Sequence, residues 1–571
     1  MKLTDNCGAA VIARFLRARG VDRLFALCGG HIMPIWMRAD FEGIRIIDVR
    51  DERAAVHMAQ AHAELTGDLG VALVTAGPGL TNAITGIANA HVSRTPLLVL
   101  SGMPPNPQQG RGALQDLDHT RLVQSITRQA RTVREPALIL PELDEAVSRA
   151  LGDGGDPGPV YLDFPTDTLR AEVPAVLQLP EHYRPKPRRM IRPSRQDVAA
   201  AVDLLWSAKR PLVISGRGAR GAGSEVIALL DRLGAAYLDT GESRGLVPDD
   251  HPSTVAAMRG IAMAEADVVV TLGRRLDFQL AYGSPAVFAN ARFVRISDAV
   301  SELRDNRRGD VELLGTTSET LREMLDVAGN RTPATDAAWI EGLRTRHRER
   351  SQKFRESMAA IPDGADGGIH PNRLLGAVQE RIGATAIAVI DGGDLLSFAR
   401  VGLSAPAMLD PGPFGCIGVG VPYGIAASLA YPERPVFVVT GDGSFGFNAI
   451  EIDTAVRHKA PLVIIVANNG AWQIEVDDQK KTHGKVVGTR LQFADHAAMA
   501  RAFGMHGERV TRADDLAGAI DRALANRPAL IDVVVTTDAQ SSDSKSGLAW
   551  VPDLQAVAAW DDAERRWRAS S

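Results

Sequence analysis

Gly441-Asp442-Gly443 is followed, after twenty-four intervening residues, by Asn468-Asn469. Asp442 offers a carboxylate oxygen and Asn469 an amide oxygen, both hard donors suited to Mg²⁺. The flanking glycines, with Ser444 behind them, let backbone approach a phosphate closely. Together they can clamp a divalent cation against a diphosphate. A second group is Glu52, in Asp48-Val-Arg-Asp-Glu52-Arg-Ala-Ala-Val-His57. A carboxyl group there can move a proton, or it can simply complement a helix dipole. A third is His31, in Cys28-Gly29-Gly30-His31-Ile32. Its imidazole can shuttle a proton near neutral pH, or it can cap the helix that follows. His57, close to Glu52 in sequence, reads as a packing residue.

These groups need rigid supports. Arg434–Thr440 and Pro461–Ala467 are apolar, β-branched runs that end at the two metal-binding clusters, so they read as buried parallel strands. Open α/β sheets bind ligands at the carboxyl ends of such strands. Ile44–Val49 reads as the strand that delivers Glu52 to a helix start. Strand-like runs at Val71–Thr75, Pro96–Leu100 and Val160–Pro165 alternate with helical stretches, giving a first α/β unit over residues 1–168. Residues 169–193 hold five prolines and read as a linker. A second unit spans 194–328, with strands at Pro211–Ser215 and Asp267–Leu272. A charged helical connector covers about 335–358, and a third unit spans 369–535. A tail, 536–571, completes the chain. The expected class is α/β, with three consecutive doubly wound parallel-sheet domains. No internal repeat is visible in the sequence.

A chain of 571 residues with 45% hydrophobic and only 5% aromatic residues fits large Ala/Val/Leu-rich cores, which such domains need. A net charge of −5 gives no sign of a nucleic-acid partner. Cys7, Cys28 and Cys416 form no disulfide or metal pattern, as expected in a reducing compartment. No apolar run reaches membrane-spanning length and the first helix, about Asn6–Arg19, is charged. The expectation is a cytoplasmic protein with no membrane partner.

Taken with Phe25–Ile32, Val74–Asn82, Gly112–Gln115 and Gly415–Pro422, the metal motif resembles the acetolactate synthase/benzaldehyde lyase/2-hydroxyacyl-CoA lyase family of thiamine-diphosphate (ThDP) enzymes. The likeness covers essentially the whole chain. It implies a pyrimidine-binding domain (1–168), a middle nucleotide-binding-like domain (194–328) and a diphosphate-binding domain (369–535). It also implies ThDP and Mg²⁺ as cofactors, and a homodimer or homotetramer in which Glu52 of one subunit faces the ThDP held by another. Carried over residue by residue, Asp442, Asn469 and the carbonyl of Ala471 become the metal ligands. Gly441, Gly443 and Ser444 become diphosphate contacts. Ile417, where many relatives carry Met, wedges between the cofactor rings. Glu52 protonates N1′ of the aminopyrimidine, and Gln115 points into the site.

His31 separates the branches, since acetolactate synthases usually place a small residue there. Local phrases such as Arg111–Gln115, Leu276–Gly283, Asp391–Asp394, Leu409–Gly415 and Val456–Ala460 are most similar to the 2-hydroxyacyl-CoA lyases. The reaction implied is cleavage of a 2-hydroxyacyl-CoA to formyl-CoA and an aldehyde or ketone, reversible as carboligation. The alternatives are a carboligase without CoA, of acetolactate synthase or benzaldehyde lyase type, and a catalytically silent subunit. Ser541–Gly547 reads as flexible, and Trp550, Trp560 and Trp567 as anchors. Such a tail suits a lid over a CoA ester, and a plain surface helix over Ala556–Arg568 serves the tryptophans almost as well. In the middle unit, Gly216-Arg-Gly-Ala-Arg-Gly221 with Arg217, Arg220, Arg274 and Arg275 is a weak candidate for ADP, FAD or the CoA nucleotide.

Overall fold

The computed structural model describes residues 4–153, 155–178 and 180–570. Three sheets follow one another along the chain, and every strand pairing in them is parallel. The first sheet runs Arg45–Asp48, Arg23–Ala26, Gly70–Val74, Leu97–Met103, Pro159–Pro165, Gln129–Thr132 in space. The third runs Ala407–Leu409, Ile387–Asp391, Val436–Gly441, Leu462–Asn468, Ala529–Val534, His506–Val510. With strands numbered inside each unit, both follow the order 2-1-3-4-6-5. The two outer units are thus structural repeats that share no visible sequence repeat. The five-stranded middle sheet runs Ala236–Leu238, Pro211–Ser215, Val268–Leu272, Arg292–Ser297, Val311–Leu314, the order 2-1-3-4-5.

The central strands are apolar throughout because helices cover both sheet faces. Leu462–Asn468 is buried at every position. The edge strands Arg45–Asp48 and His506–Val510 carry charged residues and are only partly buried, which suits strands with an unpaired side. One apolar core joins the first and third units: helix Glu52–Thr66 packs on helix Gly420–Ala430. Alanines at 54, 55, 59, 426 and 427 let the two backbones approach closely.

The connecting segments hold more structure than their composition suggests. The proline-rich stretch between the first two units opens on the short helix Thr166–Arg170 and includes a turn of helix at Ala175–Leu177. The charged connector is, as its sequence suggested, a helix, Ala337–Ala360, begun by Asp336, which accepts the N–H groups of Ala338 and Trp339. The serine-rich start of the tail, expected to be flexible, is instead the docked helix Ser542–Ser546. Its serines find buried partners: Ser544 Oγ donates to Asp477 at 2.9 Å, and Ser542 and Ser397 hydroxyls meet at 2.9 Å. The terminal helix Ala558–Ser570 lies on the middle unit, with Glu564 accepting from Ser284 and Trp560 against the apolar core. Among the described residues, no helix is long and apolar enough to cross a membrane.

Candidate active site

In each unit the strand order reverses between the first and third strands, and the crevice this opens lies beyond their carboxyl ends. In the first unit, Ala26 leads to Cys28–His31 and Val74 leads to Thr75–Gly77. In the third, Asp391 and Gly441 stand at the corresponding ends. The candidate residues therefore fall at two such crevices.

The first crevice holds Glu52, His31 and Gln115. Glu52 opens helix Glu52–Thr66, but the capping is done by Asp51, whose side chain accepts the Arg53 N–H. The Glu52 carboxyl is left for other work. It is 5% exposed and takes one side-chain hydrogen bond, from Asn82 Nδ2 at 3.1 Å. Burial raises its pKa, against the lowering effect of the Asn82 bond. Gly79 lines the same space, since a Cβ there would stand 3.1 Å from Glu52 Oε1.

His31 does not cap the next helix. Met33–Phe41 has Ile32 at its N-cap position, with no side-chain cap bond. Gln115 is near enough to the His31 ring to influence its pKa, while the ring's Nδ1 is buried without a partner. Burial lowers the His31 pKa below the usual 6.5, opposed by the nearby Gln115, which favours the neutral ring at pH 7. Gln115 adopts the left-handed φ of +63°, unusual for a side-chain-bearing residue. Gly77 makes room for it: a Cβ on Gly77 would lie 2.9 Å from Gln115 Cβ. His57 is fully buried with both ring nitrogens unpartnered, and burial drops its pKa to about 3. It is a neutral packing group.

The second crevice holds the metal motif. Asp442 begins helix Asp442–Asn448 and is 6% exposed. Burial pushes its carboxyl up to about 6, against the lowering effect of the nearby Gly443, Gly470 and Ala471 N–H groups, and Oδ2 has no partner. Asn469 Oδ1 is likewise buried and unpartnered. Two orphaned hard oxygens from adjacent strand ends fit a cation of the Mg²⁺ type. Asn468 turns the other way, its Nδ2 donating to Asp532 at 3.0 Å and to the Ala494 carbonyl at 2.9 Å. Ser444 and Ala471 are buried beside the motif, and Gly441 is half-buried. Gly443 is pressed against Trp472: a Cβ would come within 2.6 Å of the ring.

Ile417 is half-buried on the loop between Leu409 and Gly420, and an unforeseen residue fixes that loop. Asp391, fully enclosed, accepts the N–H groups of Gly418 at 3.1 Å and Gly420 at 2.9 Å. Burial pushes its carboxyl up to about 6. Its position at a strand end of the crevice was the available signal. Asn82, the partner of Glu52, and Glu451, which accepts the Arg50 and Asp51 N–H groups at 3.1 Å, carried no sequence signal of their own. Among the described residues, no hydrogen bond or ion pair joins Glu52, His31 or Gln115 to Asp442 or Asn469 within the chain.

The chemistry of the two crevices has a counterpart among known proteins. Residues 7–122 match the family described as "Thiamine pyrophosphate enzyme, N-terminal TPP binding domain". Residues 198–324 match its central domain and residues 395–533 its C-terminal TPP binding domain. The chain belongs to the thiamine pyrophosphate enzymes. It is similar to 2-hydroxyacyl-CoA lyase 2 of Caenorhabditis elegans, 31% identical over 92% of this chain and 89% of that one. The human 2-hydroxyacyl-CoA lyase 2 is 33% identical over 90% of this chain and 87% of its own. A probable acetolactate synthase of Mycobacterium bovis is also 33% identical, over 92% and 95%.

This thiamine pyrophosphate enzyme uses most of its middle-unit arginines internally. Arg217 pairs with Asp298 at 3.0 Å, Arg220 with Glu64 at 3.2 Å and Arg274 with Asp277 at 2.7 Å. Gly216 and Gly218 serve close chain packing, since a Cβ on either would strike Gly273 at 2.7 Å. The Nε atoms of Arg217, Arg274 and Arg275 are all buried without an acceptor. Arg217 and Arg274 are held through their terminal nitrogens, whereas Arg275 has no ion pair of this kind among the described residues.

Proposed function

We propose that the protein is a ThDP- and Mg²⁺-dependent carbon–carbon lyase that cleaves a 2-hydroxyacyl-CoA to formyl-CoA and an aldehyde or ketone, and runs in reverse as a carboligase. The observation that carries this reading is His31, its pKa lowered by burial and its Nδ1 without a partner, standing near Gln115 in the same crevice as Glu52. An acyloin-type cleavage needs a base for a hydroxyl proton, and a neutral, half-buried imidazole is one.

Asp442, Asn469 and the Ala471 carbonyl hold the metal, with Gly441, Gly443 and Ser444 on the diphosphate and Ile417 against the cofactor rings. Bound ThDP supplies a nucleophilic carbon and a sink for the electron pair released when the C–C bond breaks. Glu52, kept protonated more readily by its burial, donates to N1′ of the aminopyrimidine. His31 removes the proton of the substrate 2-hydroxyl group as the bond to the thioester carbon breaks, and Gln115 orients the ring. The first unit, residues 1–168, serves as the pyrimidine-binding domain and residues 369–535 as the diphosphate-binding domain. Two subunits pair so that each Glu52 completes the partner's site, in a homodimer or homotetramer working in the cytoplasm. Residues 194–328 form the middle domain, where Arg275 is the arginine left to meet an ADP or FAD phosphate, and the tail, 536–571, borders the acyl-CoA site.

The alternative reading, a carboligase acting on 2-oxo acids without CoA, is supported by the similarity to the acetolactate synthase. Purified protein with ThDP and Mg²⁺ is offered 2-hydroxyacyl-CoA esters and, separately, pyruvate, with products read by mass spectrometry. Formyl-CoA plus a free aldehyde or ketone is expected. Acetolactate from pyruvate with untouched CoA esters would move the protein to the carboligase reading.

A further inference from the structure

Behind Gln115 lies a second histidine that the proposed mechanism does not use. His119 is 1% exposed and sits at the start of the short helix His119–Val123, four residues after Gln115. Its Nε2 accepts the backbone N–H of Gly77 at 2.8 Å. Its Nδ1 faces both Asp163 Oδ2 at 3.1 Å and the Tyr161 hydroxyl oxygen at 3.2 Å, and that hydroxyl donates to the same Asp163 oxygen at 3.0 Å. Asp163 is 0% exposed. A backbone N–H is only a donor, so Nε2 must carry a lone pair. The ring proton therefore sits on Nδ1 and points at Asp163, which fixes the tautomer.

The Gly77 turn is the joint of this part of the site. Gly77 has φ +59° and precedes helix Pro78–Ser93, whose Asn82 bonds Glu52. It also packs directly against the Gln115 backbone, which lies 3.1 Å from where a Gly77 Cβ would be. A single turn hydrogen bond, from the Asp116 N–H to the Ala113 carbonyl at 3.2 Å, spans Gln115, whose left-handed conformation costs energy for a residue with a Cβ. We propose that His119, oriented by Asp163, is a positioning residue that clips the Gln115 loop to the Gly77 turn and so aims Gln115 at His31. This rests on the reading above that Gln115 acts at the reacting centre. The clip joins two crevice loops across 42 residues of sequence through one buried hydrogen bond.

Two variants remove the clip by different means. His119→Leu deletes the acceptor at similar volume. Asp163→Asn keeps the volume and places an amide donor against Nδ1, which drives the ring proton to Nε2, where it faces the Gly77 N–H. Leaving that donor unsatisfied should lower kcat/KM about 30-fold in both, with ThDP affinity within about threefold of the parent. His119→Gln retains an acceptor within reach of Gly77 and should recover most of the loss. Combined with Gln115→Ala, His119→Leu should add nothing further, because both act through one side chain. Independent, additive losses would overturn the proposal. Hydrogen exchange of the peptide spanning Gly77 gives a readout free of turnover: faster in His119→Leu and Asp163→Asn, restored in His119→Gln. If exchange follows this pattern while Gln115→Ala leaves turnover intact, the clip stands and the role given to Gln115 fails. If exchange at Gly77 is unchanged in both variants, the clip itself is wrong.

Discussion

At the scale of single residues, the site depends on which polar atoms are left without partners. Glu52 is relieved of capping by Asp51, so its carboxyl is available and its pKa is raised by burial. Glu52→Gln should leave ThDP and Mg²⁺ binding within a few-fold of the parent while turnover falls about 10³-fold. Isothermal titration with ThDP and a formyl-CoA assay check both halves, and unchanged turnover sinks the assignment. His31 supplies a pH signature. Its pKa lies below the ordinary histidine value of 6.5, chiefly because it is buried. A base must be unprotonated, so kcat/KM should hold through neutral pH and fall only on the acid side of 6.5. His31→Gln should lose that acid limb along with most of the activity, measured across pH 5–8 in steady state.

Packing at the scale of elements decides which glycines and acids can vary. The strand–turn–helix that carries Asp442 has Gly443 against the face of Trp472. Gly443→Ala should cost about 1–3 kcal/mol of stability by overpacking and weaken Mg²⁺-dependent ThDP binding, seen in thermal melts with and without cofactor. Glu451 joins two elements of different units, accepting the Arg50 and Asp51 N–H groups just before the helix of Glu52. Burial pushes its carboxyl from 4.5 up to about 7. A carboxyl with a raised folded-state pKa binds its proton more tightly when folded. Its contribution is therefore full below 4.5 and lost as the pH rises through about 7. Glu451→Gln, which mimics the protonated form, should match the parent near pH 5 and be more stable than it near pH 8, by about 2 kcal/mol. Paired denaturant melts at the two pH values test this, and an equal effect at both contradicts the burial argument.

The whole molecule raises the question of how two half-sites meet. Glu52 and Asp442 stand on the first and third units, and no described hydrogen bond or ion pair joins them within the chain. If each site is shared between subunits, Glu52→Gln and Asp442→Ala proteins, each inactive, should recover activity when dissociated and reassembled together. Random pairing puts one intact site in half of the dimers, so about a quarter of parental activity is expected. Recovery of none would place each site inside one chain. The tail enters at this scale too. Its helix Ser542–Ser546 rests on Asp477 and Ser397, and its last helix rests on the middle unit, so it spans between units.

Much of this was legible in the amino acids. The β-branched runs ending at Asp442 and Asn468, and the strand leading toward Glu52, announced parallel strands because buried strands need apolar side chains on both faces. The placement of Asp442 and Asn469 at neighbouring strand ends was legible for a similar reason, since each directly follows or ends an apolar run. Local chemistry of this kind is written in contiguous sequence. The structural repeat of the two outer units was not, because a fold is specified by hydrophobic pattern and many residue choices satisfy it. Nor were Asn82 as the partner of Glu52, Asp391 under the Ile417 loop, or His119 behind Gln115. The tail's serines read as flexible because their partners, Asp477 and Ser397, lie 67 and 145 residues away. Each of these contacts exists only once distant segments are folded together, so only the tertiary structure decided which polar groups are satisfied and which are left to act.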